Sequence, residues 1–403
     1  MQVLEVLLHD RKIGTLTDLG GDRSIFAFDE DYARDPLRPT LSLSFKDERG
    51  GLLVDHAPTQ TKLPPFFSNL LPEGALRTFL ARGAGVKPMR EFRLLWALGA
   101  DLPGAVVVRA PDGSRPEAGR LQEQAAGAAG PSDALRFSLA GVQLKFSALA
   151  DNERGLTIPA SGQGGDWIVK LPSPGFAGVA ENEYAMMRLA AASGIEVPAT
   201  RLVRMEEIGN LPAGLIDKAE LAYAVERFDR SARGRVHIED FAQILSVYPE
   251  DKYDRATYRF IAKVLWLETG EAGVTEFVRR LVFSALIGNA DMHLKNWSLI
   301  YRDGLNAALS PAYDLVSTMV YIPDDGAALK VARSKRWDEF SLEELVNLAE
   351  RARLPKQLVL TTALTMVEAF REVWTASSAD PSIPAGVRQV IERQLRTVPL
   401  ARR

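Results

Sequence analysis

Asp291, His293, Lys295 and Asn296 fall close together in LIGNADMHLKNWSLI, residues 286–300, between two apolar flanks. Charged and amide side chains set side by side where the chain is otherwise building core suggest chemistry. Asp-x-x-x-x-Asn is the spacing of a protein-kinase catalytic loop, in which the aspartate accepts a substrate hydroxyl's proton and the asparagine oxygen takes magnesium. A turn in which both side chains bond local backbone would have the same spacing. Asp314, in LSPAYDLVS, favours the chemical reading. It follows a strand-like run at 297–301 and a turn at 302–304. A loop, a hairpin and a second acid would bring a second magnesium carboxylate back to one cleft. Tyr313-Asp314-Leu315 stands where ordinary kinases carry Asp-Phe-Gly.

A phosphoryl-transfer site also needs groups that hold the donor, and candidates lie upstream. Trp167-Ile168-Val169-Lys170 reads as an apolar strand ending in a lysine, and the helix after it opens with Glu181, Asn182 and Glu183. In a kinase a strand lysine holds the ATP phosphates and a helix glutamate positions it; a solvated edge lysine is the plainer reading. Farther on, AVERFD at 224–229 would be a strand running into the connection between two lobes, where backbone groups can bond an adenine edge. A strand end with a surface charge cluster would look the same.

The elements that must position these residues follow from texture. Residues 1–100 read as short strands and turns, with β-like runs at 3–8 and 41–45 and a helical stretch at 73–84. Residues 111–133, rich in Gly, Ala, Pro and polar residues, read as a linker or mobile loop. Strand signals return at 136–150 and 167–171, a helix runs over 181–193 and closes on Gly194, and another strand covers 223–228. From about Ile238 the pattern is mainly helical, and Ser341 with Glu344 forms a capping box ahead of Leu345, Leu348 and Ala349. The expectation is an α+β chain with an N-terminal α+β unit over 1–110, a linker over 111–133, a sheet bearing one helix over 134–235 and a helical lobe over 236–403.

Composition excludes several function classes. The 403 residues are 46% apolar and 25% charged, near the average for folded domains. The absence of cysteine rules out disulfides and thiolate metal sites and makes the cytoplasm the expected compartment. No leader or membrane span is expected. A formal charge of −3 provides no overall basic field for nucleic acid, so any DNA contact would run through another chain. The four histidines are too scattered for a zinc cluster.

Five segments in order resemble the HipA-like serine/threonine kinases, toxins of bacterial HipA/HipB toxin–antitoxin pairs. They are FFSNLLPEG at 66–74, SLAGVQLK at 138–145, the Lys170 strand, ERFDR at 226–230, and GNADMHLKN at 288–296 followed by YDL at 313–315. The resemblance implies a two-lobed protein-kinase-like fold that uses ATP and Mg2+. It makes Asp291 the catalytic base and Asn296 and Asp314 the metal ligands. Lys170 becomes the phosphate lysine, Glu226, Arg227 and Phe228 the adenine hinge, and Ala140, Gly141, Val142, Gln143 and Lys145 the phosphate loop. His293 and Lys295 could meet phosphate or act structurally. Ser138, at the head of that loop, would be an inactivating autophosphorylation site; a solvent-facing strand serine is the alternative.

By the same resemblance the partner would be a small helix-turn-helix antitoxin of HipB type that binds operator DNA, and the substrate an aminoacyl-tRNA synthetase such as glutamyl-tRNA synthetase. Two rivals stay open: a HipA-like kinase without a toxin role, and a catalytically silent scaffold that keeps the fold for its partner.

Overall fold

The computed structural model describes residues 2–114, 116, 144–150, 155–159, 164–173, 175–211, 220–323 and 326–402. The phosphate-loop residues Ser138, Ala140, Gly141, Val142 and Gln143, and most of the expected linker, lie outside them.

The N-terminal sheet is antiparallel, in the order β4-β3-β2-β1-β5, with β1 Val3–Leu8, β2 Arg11–Gly20, β3 Arg23–Phe28, β4 Thr59–Gln60 and β5 Val106–Arg109. His9 and Asp10 join β1 to β2 at φ 50° and 63°. Both central residues of a type I′ turn require that left-handed backbone, and its twist matches the strands it joins. The inward residues Leu4, Val6, Leu8, Ile13 and Leu16 meet Phe66, Phe67, Leu70 and Leu71 of the signature segment in one core. The β-like run expected at 41–45 is instead a 3-10 turn, Leu43–Phe45. Ser42 caps it by accepting from the Ser44 N–H, and the Ser42 hydroxyl and Leu43 N–H both donate to the Glu239 carboxylate, so this backbone pairs with a side chain and not with a strand.

The second sheet has the order β10-β7-β6-β8-β11-β9: β6 Lys145–Ala150, β7 Leu156–Thr157, β8 Trp167–Lys170, β9 Thr200–Arg204, β10 Ile208–Gly209 and β11 Leu221–Glu226. Both its faces are covered. Along β11, Ala222 and Ala224 face a core that includes Leu76 of the N-terminal helix Gly74–Gly83, whereas Tyr223 and Val225 face the core shared with the helix Val179–Ala192. Side chains alternate along a strand, so one short segment joins two cores.

Residues from Ile238 onward are not purely helical. After a short hairpin of β12 Arg230–Ser231 and β13 Gly234–Arg235, β14 His237–Asp240, β15 Ser298–Tyr301 and β16 Ala308–Leu309 form a three-stranded sheet. Two of these strands are four residues long and one is two, below what period-two patterning resolves. The rest of the lobe is the long helix Tyr258–Ile287, broken at Gly270 (φ 63°, ψ −146°), and the helices Leu342–Ala352, Lys356–Ser377 and Ala385–Thr397. Half of the expected capping box forms: Ser341 accepts from the Glu344 N–H at 3.3 Å. The Glu344 carboxylate turns away to the N–H groups of Ala332, Arg333 and Ser334.

Buried polar contacts join the N-terminal unit to the rest. Asp101 pairs with Arg227 and Arg230, which also share Asp229. His237 Nε2 lies 2.7 Å from the Leu41 carbonyl.

Candidate active site

The long helix ends at Gly288, whose φ of 66° turns the chain into Asn289, Ala290 and Asp291. A side chain there would be strained and would strike Val390 at 2.7 Å. The turn is then fixed by its own polar groups. Asn289 Oδ1 accepts from the Asp291 N–H at 3.0 Å, Thr318 Oγ1 accepts from the Ala290 N–H at 2.7 Å, and the Asp291 carbonyl accepts from the His293 N–H and from Asn296 Nδ2, each at 2.8 Å. The spacing of Asp291 and Asn296 is thus a closed loop with one backbone acceptor between them. With its nitrogen committed, the Asn296 amide has its oxygen left as the end for a cation.

Asp314 reaches the same region from β16. Tyr313 donates to the Lys295 carbonyl at 2.8 Å and bonds the Ser298 hydroxyl at 2.5 Å, which ties this segment to the catalytic-loop candidate. Arg280, 1% exposed, donates to the Ser310 carbonyl just upstream. Asn182 holds the downstream side, accepting from the Ser317 N–H at 3.0 Å and donating to its carbonyl at 3.1 Å. Between these anchors Asp314 sits at φ 55°. A non-glycine residue kept in the left-handed region costs energy and persists where the surroundings over-determine it, as they do at functional sites.

Lys170 meets both halves. Its ammonium lies 2.6 Å from Glu183 and also pairs with Asp314. Of the two glutamates at the helix start, Glu183 is the one on the buried face, at 2% side-chain exposure. Burial works against the Lys170 ammonium, but the Asp314 and Glu183 carboxylates outweigh it and raise the group above its ordinary range. Burial likewise opposes the Asp314 charge, and Lys170 with Lys145 overrides it, holding that carboxyl down at about 2. Lys145, on β6, lies in the field of Asp314, Lys170, Glu73 and Lys295.

The remaining candidates divide. His293 is 4% exposed, and burial with the nearby Lys252 charge pushes its imidazole well below the ordinary value, so it is neutral at pH 7. Lys295 donates to the Asn69 carbonyl at 2.9 Å and to Asn69 Oδ1 and Asp240 at 3.0 Å each, which joins the catalytic-loop candidate to the FFSNLLPEG segment. At the hinge, the Glu226 and Arg227 N–H groups are already donated to Ala199 and Asp166 carbonyls at 2.8 and 2.7 Å. The Arg227 guanidinium is buried against Asp229, Asp101 and Ser147. Phe228 is the hinge side chain beside the acidic loop, its ring 5.6 Å from that of Tyr313.

Sequence reasoning passed over Tyr253, whose hydroxyl donates to Asp291 Oδ1 at 2.6 Å, and Glu73, which accepts from Lys252 at 2.8 Å. Neither carries a spacing signal, because each meets its partner across a long stretch of chain.

Among the described residues, no helix is long and apolar enough to cross a membrane. The family described as HipA N-terminal domain matches residues 4–109, and that described as HipA-like C-terminal domain matches residues 137–374. A Sinorhizobium fredii protein named "Putative kinase Y4dM" is 53% identical, covering 99% of this chain and 98% of its own. The "Serine/threonine-protein kinase toxin HipA" of Shewanella oneidensis is 26% identical over 89% of this chain and 85% of its own. The solved Shewanella oneidensis complex of HipA, HipB and operator DNA holds a chain of the same α+β, two-lobed kinase-like fold, with a TM-score of 0.75 at 22% identity, covering 99% of this chain and 98% of that one. With both halves matched and a near full-length relative at this identity, the chain belongs to the HipA-like kinase family.

Proposed function

We propose that this chain is a serine/threonine kinase that transfers the γ-phosphoryl group of ATP to a protein hydroxyl. The observation that carries the reading is the Lys170 ammonium held between Glu183 of a helix and Asp314 of a strained loop. Asp314 lies on a strained loop that is itself anchored on both sides, and a buried cation held between such a loop and a helix carboxylate suits a group that faces phosphate.

In this reading Lys170 faces the transferring phosphates, Glu183 keeps it there, and Phe228 with the hinge carbonyls faces the adenine. Asp291 accepts the proton of the attacking hydroxyl as its oxygen forms the new P–O bond and the bond to the ADP oxygen breaks. Asn296 Oδ1 and the Asp314 carboxylate are hard oxygen donors that fit magnesium, which when bound neutralises charge on the β- and γ-phosphates. Among the described residues no set of three or more His, Asp or Glu side chains could hold a metal by itself.

The likeness to a chain of the HipA, HipB and operator DNA complex supports a helix-turn-helix antitoxin of HipB type as partner, with DNA met through it. The formal charge of −3 agrees with an indirect contact. A toxin role, and an aminoacyl-tRNA synthetase as the phosphorylated protein, follow from the same family reading. By the family resemblance Ser138 would be a second acceptor, where a phosphate adds roughly −1.5 to −2 charges and repels nucleotide. The test is phosphate gain by the purified chain in Mg-ATP, in the parent and in an Asp291→Asn variant. Gain in the parent alone supports the proposal; equal gain in both, or none in either, overturns it.

A further inference from the structure

Tyr223, on β11, is the cross-strand neighbour of Lys170 on β8, so the two side chains stand on one face of the sheet. The Lys170 ammonium lies 5.6 Å from the centre of the phenol ring. The helix that carries Glu183 packs on the same face. Tyr223 is fully buried, and among the described residues its hydroxyl has no hydrogen-bond partner.

An unpaired buried hydroxyl costs free energy, and a phenylalanine would fill the same space without that cost. Burial, with the nearby Glu183 and Asp314 charges, keeps the phenol protonated, so it stays a donor beside two carboxylates. In this structure Lys170 serves both of them. A phosphate facing Lys170 would draw the ammonium away. Asp314 could then turn to magnesium, whereas Glu183, at 2% side-chain exposure, has to be compensated from within the fold.

We propose that Tyr223 is a positioning residue of the phosphate site: its hydroxyl donates to Glu183 when Lys170 turns to phosphate, and so keeps in place the carboxylate that holds the lysine. This rests on the reading of Lys170 as the phosphate lysine. The hydroxyl then contributes to the nucleotide-bound arrangement and not to the folded chain by itself, which a purely structural tyrosine would not do.

The experiment measures two quantities on the full chain, the urea midpoint without nucleotide and the affinity for the non-hydrolysable nucleotide Mg-AMPPNP, in the parent and in Tyr223→Phe. The expected result is a midpoint equal to or above the parent's and an affinity about 5- to 10-fold weaker, the worth of one hydrogen bond. A second pair repeats the midpoint in a Lys170→Met background. There Glu183 has lost its ammonium before any nucleotide arrives, so Tyr223→Phe should now lower the midpoint. An affinity within two-fold of a binding parent overturns the inference and leaves the site reading standing. So does a lowered midpoint in the otherwise unchanged chain, which would mean that the hydroxyl is already paired, and so does an unchanged midpoint in a folded Lys170→Met chain. A parent that does not bind Mg-AMPPNP overturns the site reading and the inference with it.

Discussion

Glu239 shows how much one side chain can decide away from the site. It is fully buried and takes hydrogen bonds from Ser42, from Leu43 N–H and from Tyr301. Burial outweighs those donors and pushes its carboxyl up to about 7, from an ordinary 4.5. The folded chain thus binds this proton more tightly than the unfolded one. Its contribution is complete below the unfolded value and is lost as pH rises toward the folded one. Glu239→Gln keeps the shape and stays neutral, so the variant should gain on the parent by on the order of 2–3 kcal/mol between about pH 5 and pH 8. Urea unfolding of both chains at the two ends of that range measures it, and identical pH responses would count against the assignment. At this scale the sequence was uneven as a guide. The acids at 291 and 314 were legible because their spacing is local, whereas Tyr253, Glu73 and Glu239 meet their partners across long intervals that no periodicity records.

Elements bring these side chains together mainly by ending in the right place. The helix Tyr258–Ile287 stops at Gly288, and the two positions after it open the Asp291 turn. Gly288→Ala would force a left-handed alanine against Val390 and Met319. We expect a loss of about 2 kcal/mol or more from the left-handed backbone and the crowding together. Chemical denaturation reads this directly, and a neutral substitution would mean that the turn is not held as described. The helix that carries Glu183 was readable because its 14 residues are long enough to show a period, and the four-residue strand that carries Lys170 because it is an unbroken apolar run closed by a lysine. The short strands of the third sheet were not. β16 is two residues, and Leu43–Phe45 looked like strand because LSLSF alternates apolar and polar residues, whereas its backbone is bonded by Ser42 and by a carboxylate from another part of the chain.

At the scale of the whole molecule the N-terminal unit is part of the site's support. Lys295 and Lys252, beside Asp291, are held by Asn69, Asp240 and Glu73. The hinge arginine Arg227 is held by Asp101 at 6% exposure. Asp101→Ala would take from the buried Arg227 and Arg230 one of the two carboxylates they share, at a cost of about 3 kcal/mol. Because those contacts span both ends of the chain, the parent should unfold in a single calorimetric transition, and the variant should move that transition to lower temperature. Two separate transitions in the parent would show that the units are independent. The spacing of the five ordered segments did not reveal that the first of them bonds the candidate catalytic loop through Asn69 and Lys295.

If Asp291, Asn296, Asp314 and Lys170 form a phosphoryl-transfer site, the chain takes phosphate from ATP through Asp291. The most direct measurement is intact-mass spectrometry with peptide mapping of the purified chain, shown to begin unphosphorylated, after incubation with Mg-ATP beside an Asp291→Asn control. The expected result is a phosphate-sized gain in the parent, mapping to Ser138, and none in the control. No gain in either would contradict the phosphoryl-transfer reading.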